Sequence, residues 1–419
     1  MVFIKDKSKF REPYILHFVI CATLISFAFL LQPANEILQG LLNIFHSSSV
    51  LMTDYTVVGG VAATLVNAGL CGIIVLSIFY FEDMKLNGSL MMSFWLVFGF
   101  SFFGKNILNI LPILLGGYVY ALNKQEPFAR YSLVTILSTT LAPSITSVYH
   151  LFSDKGIAVA LIVSMATGLV IGFIMPSIAA NAMKIHSGFN LYNVGYAGGV
   201  VGIFMMGFFR VFDKSFPTNS LWGTENGPIL TFIAISICLI FIIYGLKTTT
   251  NIKKNLKLIL KSKGRLVTDY YMLYGNAAYI NMGISGLLAI FVIYLIGADV
   301  NGATYAGIFT IFGFSALGKH IRNMTPVLIG AILVGGLTSL GLSSPAIVLG
   351  ILFSTALSPI AGTFGYIYGF IAGAMHIVIV ANLAPIHGGL NLYNNGLAAG
   401  FVATILIPII LNHRKEEVI

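Results

Sequence analysis

The sequence predicts an all-α polytopic membrane protein built of two inverted-topology repeats with re-entrant or discontinuous helices. Three observations carry that expectation. The chain is 57% hydrophobic and only 9% charged, with mean hydropathy +0.92. A soluble globular domain holds about a quarter charged residues, so lipid must solvate this one. Several apolar runs approach or exceed the roughly 20 residues that cross a bilayer. Finally, the string Ile185-His186-Ser187-Gly188-Phe189-Asn190-Leu191-Tyr192-Asn193-Val194-Gly195 returns as Ile386-His387-Gly388-Gly389-Leu390-Asn391-Leu392-Tyr393-Asn394-Asn395-Gly396. Burying His, Asn and Tyr is costly. Meeting the same polar string twice argues for paired halves of one site.

Residues 1–13 are basic and polar (Lys5, Lys7, Lys9, Arg11). The first span covers about 14–33. It is too long for a signal-peptide core and has no small-x-small cleavage site, so it reads as a retained helix. A polar linker with Pro33, Asn35, Glu36 and Ser47 to Ser49 leads to Asp54. Apolar stretches follow at about 55–81, 90–103, 107–122, 129–149, 157–180 and 190–210. Residues 211–228 form a hydrophilic extracellular loop, and another span runs over 229–246. Residues 247–265 then carry Lys247, Lys253, Lys254, Lys257, Lys261, Lys263 and Arg265 with no acid. Cys21, Cys71 and Cys238 lie within apolar runs and read as small buried hydrophobes.

The pattern restarts at Asp269. Asp54-Tyr55 matches Asp269-Tyr270, and Asn67, Gly69 and Gly72 match Asn281, Gly283 and Gly286. Asn87-Gly88 matches Asn301-Gly302, and Phe98-Gly99-Phe100-Ser101 matches Phe312-Gly313-Phe314-Ser315. Gly104-Lys105, Asn109 and Pro112 match Gly318-Lys319, Asn323 and Pro326. Ser138, Thr139 and Leu141-Ala142-Pro143 match Ser354, Thr355 and Leu357-Ser358-Pro359. The unit is therefore 1–210, repeated as 229–419.

Charge sets the relative orientation. The basic N-terminus, the 247–265 loop and the tail with His413, Arg414 and Lys415 belong in the cytoplasm. Asp54 then reaches the outside and Asp269 the inside, which makes the repeat inverted. Parity adds a constraint: 90–122 must be a hairpin or re-entrant pair for the basic loop to stay inside. The break falls around Gly104-Lys105 and Gly318-Lys319, with Pro143 and Pro359 as the alternative place.

Four groups of residues could carry chemistry. Asn190 and Asn193, with Asn391 and Asn394, offer amide donors and acceptors to a solute. In a helix three residues apart they share a face, and Tyr192 points elsewhere. Asn190 and Asn391 could equally cap the helix that follows. His186 and His387 stand at the entry to the same helices. Lys105 and Lys319 are charges within apolar sequence, a functional signal unless they snorkel to the interface. Thr139 and Thr355 precede the prolines, where hydroxyls either repair freed carbonyls or line a pathway. Asn67 and Asn281 complete the set.

Absences count too. Among the acids, none falls between Asp83 and Glu126, between Asp154 and Asp213, or between Asp299 and Glu416. A two-carboxylate hydrolase has no residues to use, and no nucleophile-elbow, zinc-protease or phosphate-loop pattern occurs.

The Asn-Leu-Tyr-Asn strings and the Phe-Gly-Phe-Ser-x-x-Gly-Lys strings resemble, over nearly the full length, a family of bacterial integral membrane proteins of unknown function found in Firmicutes. That resemblance implies a bacterial plasma-membrane location. In architecture alone the inverted halves look like the urea-channel group, whose Leu-Pro boxes are one residue shorter than Leu141-Ala142-Pro143 and Leu357-Ser358-Pro359.

The function expected is a membrane transporter or channel for a small polar solute, neutral or anionic, bound near the midplane between the repeats. Its partners are that solute and the lipid bilayer, not nucleic acid; a homo-oligomer is left open. No catalytic residue, metal or cofactor is expected. The alternative is a membrane-embedded enzyme acting on a lipid or lipid-linked group, with His186 or His387 as base.

Overall fold

A computed structural model describes residues 8–216, 221–265 and 268–416, with side chains from Tyr14 to His413. The first half holds α1 (Ser8–Leu31), α2 (Ala34–His46), α3 (Tyr55–Val58), α4 (Gly60–Phe81), α5 (Gly88–Phe100), α6 (Ile107–Lys124), α7 (Ala129–Ser138), α8 (Ala142–Leu151), α9 (Ile157–Ile185) and α10 (Asn193–Val211). The second holds α11 (Gly227–Thr248), α12 (Ile252–Lys261), α13 (Tyr270–Tyr274), α14 (Ala277–Leu295), α15 (Gly302–Phe314), α16 (Ile321–Leu337), α17 (Pro345–Ser354), α18 (Ser358–Phe364), α19 (Tyr366–Val380) and α20 (Asn394–Glu416). Tight turns of 3-10 helix at Thr139–Leu141 and Thr355–Leu357 join α7 to α8 and α17 to α18.

Among the described residues ten helical segments are long and apolar enough to cross a membrane, and α5, α15, α16 and α19 are shorter apolar helices in addition to them. Helices satisfy their own backbone, which lipid cannot do for them. Ile162 and Val170 on α9, Phe232 on α11 and Ile409 on α20 present their side chains outward, as lipid-facing residues must. The protein is a multi-pass membrane protein.

Helices α5 and α15 form the buried centre and run antiparallel. Gly88 lies against Ala316, Gly313 against Met92 and Trp95, Gly99 against the 305–309 stretch, and Gly302 against Phe102. Glycine permits the approach: a Cβ on Gly99 would stand 2.9 Å from that of Phe309. Where the helices cross, Trp95 stacks on Phe309 with ring centroids 5.2 Å apart.

The ends of this pair are tied reciprocally. Asp54 caps α3 through Thr56 N (2.8 Å) and also accepts from Gly302 N at the start of α15 (3.1 Å) and from Gly223 N (3.1 Å). Asp269 caps α13 through Met272 N (2.9 Å) and accepts from Gly88 N at the start of α5 (2.8 Å). Each half supplies a carboxylate to a helix N-terminus of the other, where the unpaired amides and the dipole favour negative charge.

Several expectations take a definite form here. Residues 90–122 are two helices, α5 rising from the Asp269 end to the Asp54 end and α6 returning, with the turn at Lys105. The break beside Pro143 and Pro359 also exists, as the two 3-10 turns. What the sequence reads as a polar linker at 33–54 includes α2, whose Ile37, Gly40 and Ile44 are buried. The basic 247–265 stretch contains α12, whose lysines are held off the body by one buried residue, Ile259.

Asp54 is fully buried and serves three backbone amides. Replacing it by alanine strands those donors. Asp54→Ala should cost about 2–3 kcal/mol, and Asp269→Ala less because Asp269 keeps more solvent. Thermal unfolding in detergent measures this; equal, negligible shifts would contradict the reciprocal capping.

Candidate functional site

A cavity of about 250 Å³ lies between the halves. Its walls come from α5 (Met92, Leu96, Phe100), α7 (Leu133, Val134, Leu137), α15 (Thr310, Phe314) and the two polar strings. It is the strings that bring polarity to a mostly apolar wall.

Each string leaves the helical path before it reaches the cavity. In the first copy, Ser187 and Gly188 take φ 51° and 75°, and helix resumes only at Asn193. Between them the chain is not helical, so its backbone needs partners elsewhere. The other half provides them. Leu191 N donates to Ala356 O (3.0 Å) and Leu392 N to Thr140 O (2.9 Å), both carbonyls of the 3-10 turns. Asn190 Nδ2 donates to Gly396 O (2.8 Å), and Asn391 Nδ2 to Gly195 O (3.2 Å). Thr140 Oγ1 donates to Asn391 Oδ1 (2.6 Å) and accepts from Tyr393 N (2.9 Å). The first turns of α10 and α20 touch through glycine: a Cβ on Gly396 would lie 2.8 Å from Gly195 Cα.

The lysines sit on the helix breaks and are wholly buried. Lys105 Nζ donates to Thr139 Oγ1 (2.8 Å) and to Tyr393 OH (2.6 Å). Lys319 Nζ donates to Thr355 Oγ1 (2.8 Å) and to Tyr192 OH (2.6 Å). Each nitrogen stands 4.6 Å from its tyrosine ring centroid. Each lysine is therefore held by a threonine of its own half and a tyrosine of the other. They do not snorkel. Asn67 Nδ2 donates to Ser101 O (2.8 Å) and Lys105 O (2.9 Å), and Asn281 Nδ2 to Ser315 O (2.7 Å) and Lys319 O (2.8 Å). These amides satisfy carbonyls that the helix breaks expose. Thr139 and Thr355 donate in turn to Ile136 O (2.6 Å) and Leu352 O (2.7 Å). Among the described residues the ion pairs are Arg130–Glu126 and Lys155–Asp154, so neither buried lysine has a carboxylate partner.

The histidines stand behind the strings. Asn193 Nδ2 donates to Ala179 O (3.0 Å), which leaves its Oδ1 to accept from His186 Nε2 (3.0 Å). His387 Nε2 meets Asn394 Oδ1 at 2.8 Å. Burial lowers both imidazole pKa values, against a smaller raising effect of the asparagine bonds. Asn193 lines the cavity; Asn394 does not, and its neighbour Asn395 does, bonded to His376 Nε2 (2.9 Å).

The structure thus places Lys105, Lys319, Thr139, Thr355, Asn190, Asn391 and Asn193 at or directly behind the cavity. Asn67, Asn281, His186, His387 and Asn394 are a step further away. The sequence pattern did not single out Tyr192, Tyr393 or Asn395 as site residues, while Thr140 belongs to the hydroxyl group before Pro143 that it did. A helix assumed over 190–193 turned Tyr192 away, but α10 starts at Asn193. A partial signal was available: twin lysines without acids require twin acceptors, and the repeated tyrosine is one of the residues in the strings that can accept.

Tyr393→Phe removes an acceptor from a buried ammonium and should destabilise the protein by about 1–3 kcal/mol. Adding Lys105→Met removes the stranded donor as well and should recover part of that loss, giving a coupling of about 1–3 kcal/mol in a double-mutant cycle. Additive losses would show that the two side chains do not interact. Thermal or denaturant unfolding in detergent supplies the four values.

No curated protein and no solved structure was found to match this chain. A family model does match, over residues 33–211 and 248–412, which takes in nearly all of both halves. The chain therefore belongs to the family described as a protein of unknown function, DUF1576.

Proposed function

We propose that the protein is a carrier for a small polar solute, neutral or anionic, in a bacterial plasma membrane, with its two halves inserted in opposite orientations and its termini in the cytoplasm. One observation above all supports the reading. The centre of the cavity is built of matched pairs from the two halves, while its mouth is built mostly from the first half, with Leu317 the one contribution from the second.

The matched pairs follow the register of the sequence repeat. Leu96 and Thr310, Phe100 and Phe314, and Leu137 and Phe353 line the cavity, as do Tyr192 and Tyr393, and Gly195 and Gly396. The mouth is different. Ser89, Met92, Leu133 and Val134 line it, but their counterparts Ala303, Ala306, Leu349 and Gly350 do not. Ala303 and Ala306 are fully buried and Leu349 is 6% exposed. On that side α15 and α17 close together; a Cβ on Gly307 would stand 2.6 Å from Leu352. A symmetric centre with one open side is what alternating access requires: the same site reopens when the halves exchange shapes.

The antiparallel course of α5 and α15 and the reciprocal caps by Asp54 and Asp269 support the opposite insertion of the halves. The lysines of α12 favour a cytoplasmic position for the Asp269 end under the positive-inside rule. The mouth at Ser89 then opens inward.

Cysteine accessibility tests this without knowledge of the solute. Cys21, Cys71 and Cys238 are first replaced; Ser89→Cys and Ala303→Cys are then made singly. In sealed vesicles of both orientations, an impermeant maleimide should label Ser89→Cys from the cytoplasmic side and Ala303→Cys, more slowly, from the other. Labelling of either from both sides would mean a continuous pore. An Ala303→Cys inert from both sides would mean a closed cavity and no transport path.

A further inference from the structure

We infer that the cavity takes an organic carboxylate with a compact apolar body; this rests on reading the cavity as the transport site and names the solute class. Three features of the cavity converge on that chemistry.

The first is the wall. Met92, Leu96, Leu133, Leu137, Phe314 and Phe353 surround most of the space. A solute polar all over would lose its hydration there and receive nothing in return. An apolar body is released from water instead. At about 250 Å³ the space is below the roughly 300–1,000 Å³ typical of drug-sized ligands, so the body is small.

The second is the polar end. Tyr192 and Tyr393 both line the cavity, and each hydroxyl oxygen already accepts a lysine N–H. Each phenol hydrogen can be donated to a solute oxygen, that of Tyr192 by leaving its neighbour Thr355. A hydroxyl that accepts from an ammonium is the stronger donor for it. Two such donors on one cavity suit the two oxygens of a carboxylate.

The third is charge. Among the described residues Lys105 and Lys319 are buried without a carboxylate partner, and no Asp or Glu lines the cavity. The first turns of α10 and α20 line the same end, at Asn193 to Gly195 and at Asn395 with Gly396. Their amides and dipoles add further positive potential. Positive charge in a low dielectric is costly until an anion joins it, and a cationic solute would be repelled. The carboxylate completes an ion pair that the protein itself leaves open, with the phenols standing between charge and countercharge.

A matched set of probes tests the class directly. Benzoate, benzyl alcohol and benzylamine share one apolar body; acetate has the head alone. Calorimetry on the protein in nanodiscs gives the four affinities, with quenching of Trp95 emission as a second readout beside Met92 and Leu96. Benzoate should bind at least tenfold more tightly than benzyl alcohol, benzylamine should not bind, and acetate should bind at least tenfold more weakly than benzoate. Tyr192→Phe with Tyr393→Phe should bring benzoate down to the level of the alcohol, while Leu96→Ala weakens benzoate and the alcohol alike. Equal affinities across the benzyl set, preference for the amine, acetate binding as well as benzoate, or no binding by any probe would overturn the inference. Side-dependent labelling at Ser89 and Ala303 with an unranked probe set would remove the solute class and leave the carrier standing; ranked probes with labelling from one side only would leave a binding site that does not transport.

Discussion

Two buried lysines constrain this molecule more than any other feature. A lysine in the interior of a membrane protein must be satisfied there or drawn out to water. Lys105 and Lys319 are satisfied, and the means are reciprocal: each reaches a tyrosine that belongs to the opposite half. Neither half can therefore bury its own lysine well without the other. The reciprocal tie recurs at the ends of α5 and α15, where Asp54 and Asp269 cap each other's partner helices. It recurs once more between the strings, where Asn190 and Asn391 each bond a carbonyl at the start of the opposite string's helix. Hydrophobic packing brings the halves together; these polar bonds fix their register.

The helix breaks make those bonds available. A continuous helix spends its carbonyls on itself, whereas the turns at Lys105 and Lys319 and the 3-10 turns at Thr139–Leu141 and Thr355–Leu357 leave groups to be met from outside. Asn67 and Asn281 take up the carbonyls that face their own half. The carbonyls of Thr140 and Ala356 are met by the opposite string. Irregular backbone at this depth survives only where protein or a cavity surrounds it. Here it does both, since the same strings that cross-link the halves also line the cavity.

Much of the fold was legible in the residues. The apolar runs located most of the long helices, and the repeated short motifs announced the doubling. The turn at Gly104-Lys105 could be placed because a charge and a glycine interrupt a run too short for two full crossings. Helices α2 and α12 were missed because their amphipathic faces bury only a few residues against the body and their composition reads as linker. The site was half legible. Lys105, Lys319, Thr139 and Thr355 could be named from their setting, but their partners could not, because pairing across the halves is a property of three-dimensional proximity. Tyr192 and Tyr393 stand in the repeated strings, but a helix assumed over 190–193 turned Tyr192 away from the site.

In the proposed carrier the two halves lie head to tail across the bilayer, and matched lysines and tyrosines exchange partners about one centre. His46 at the end of α2 and Lys261 at the end of α12 hold matching places in the repeat and are both exposed. The most direct measurement is the sidedness of His46→Cys and Lys261→Cys toward an impermeant maleimide in oriented vesicles. The two cysteines should react from opposite faces of the membrane, Lys261→Cys from the cytoplasm. Reaction of both from the same face would contradict the opposed halves and, with them, the shared site.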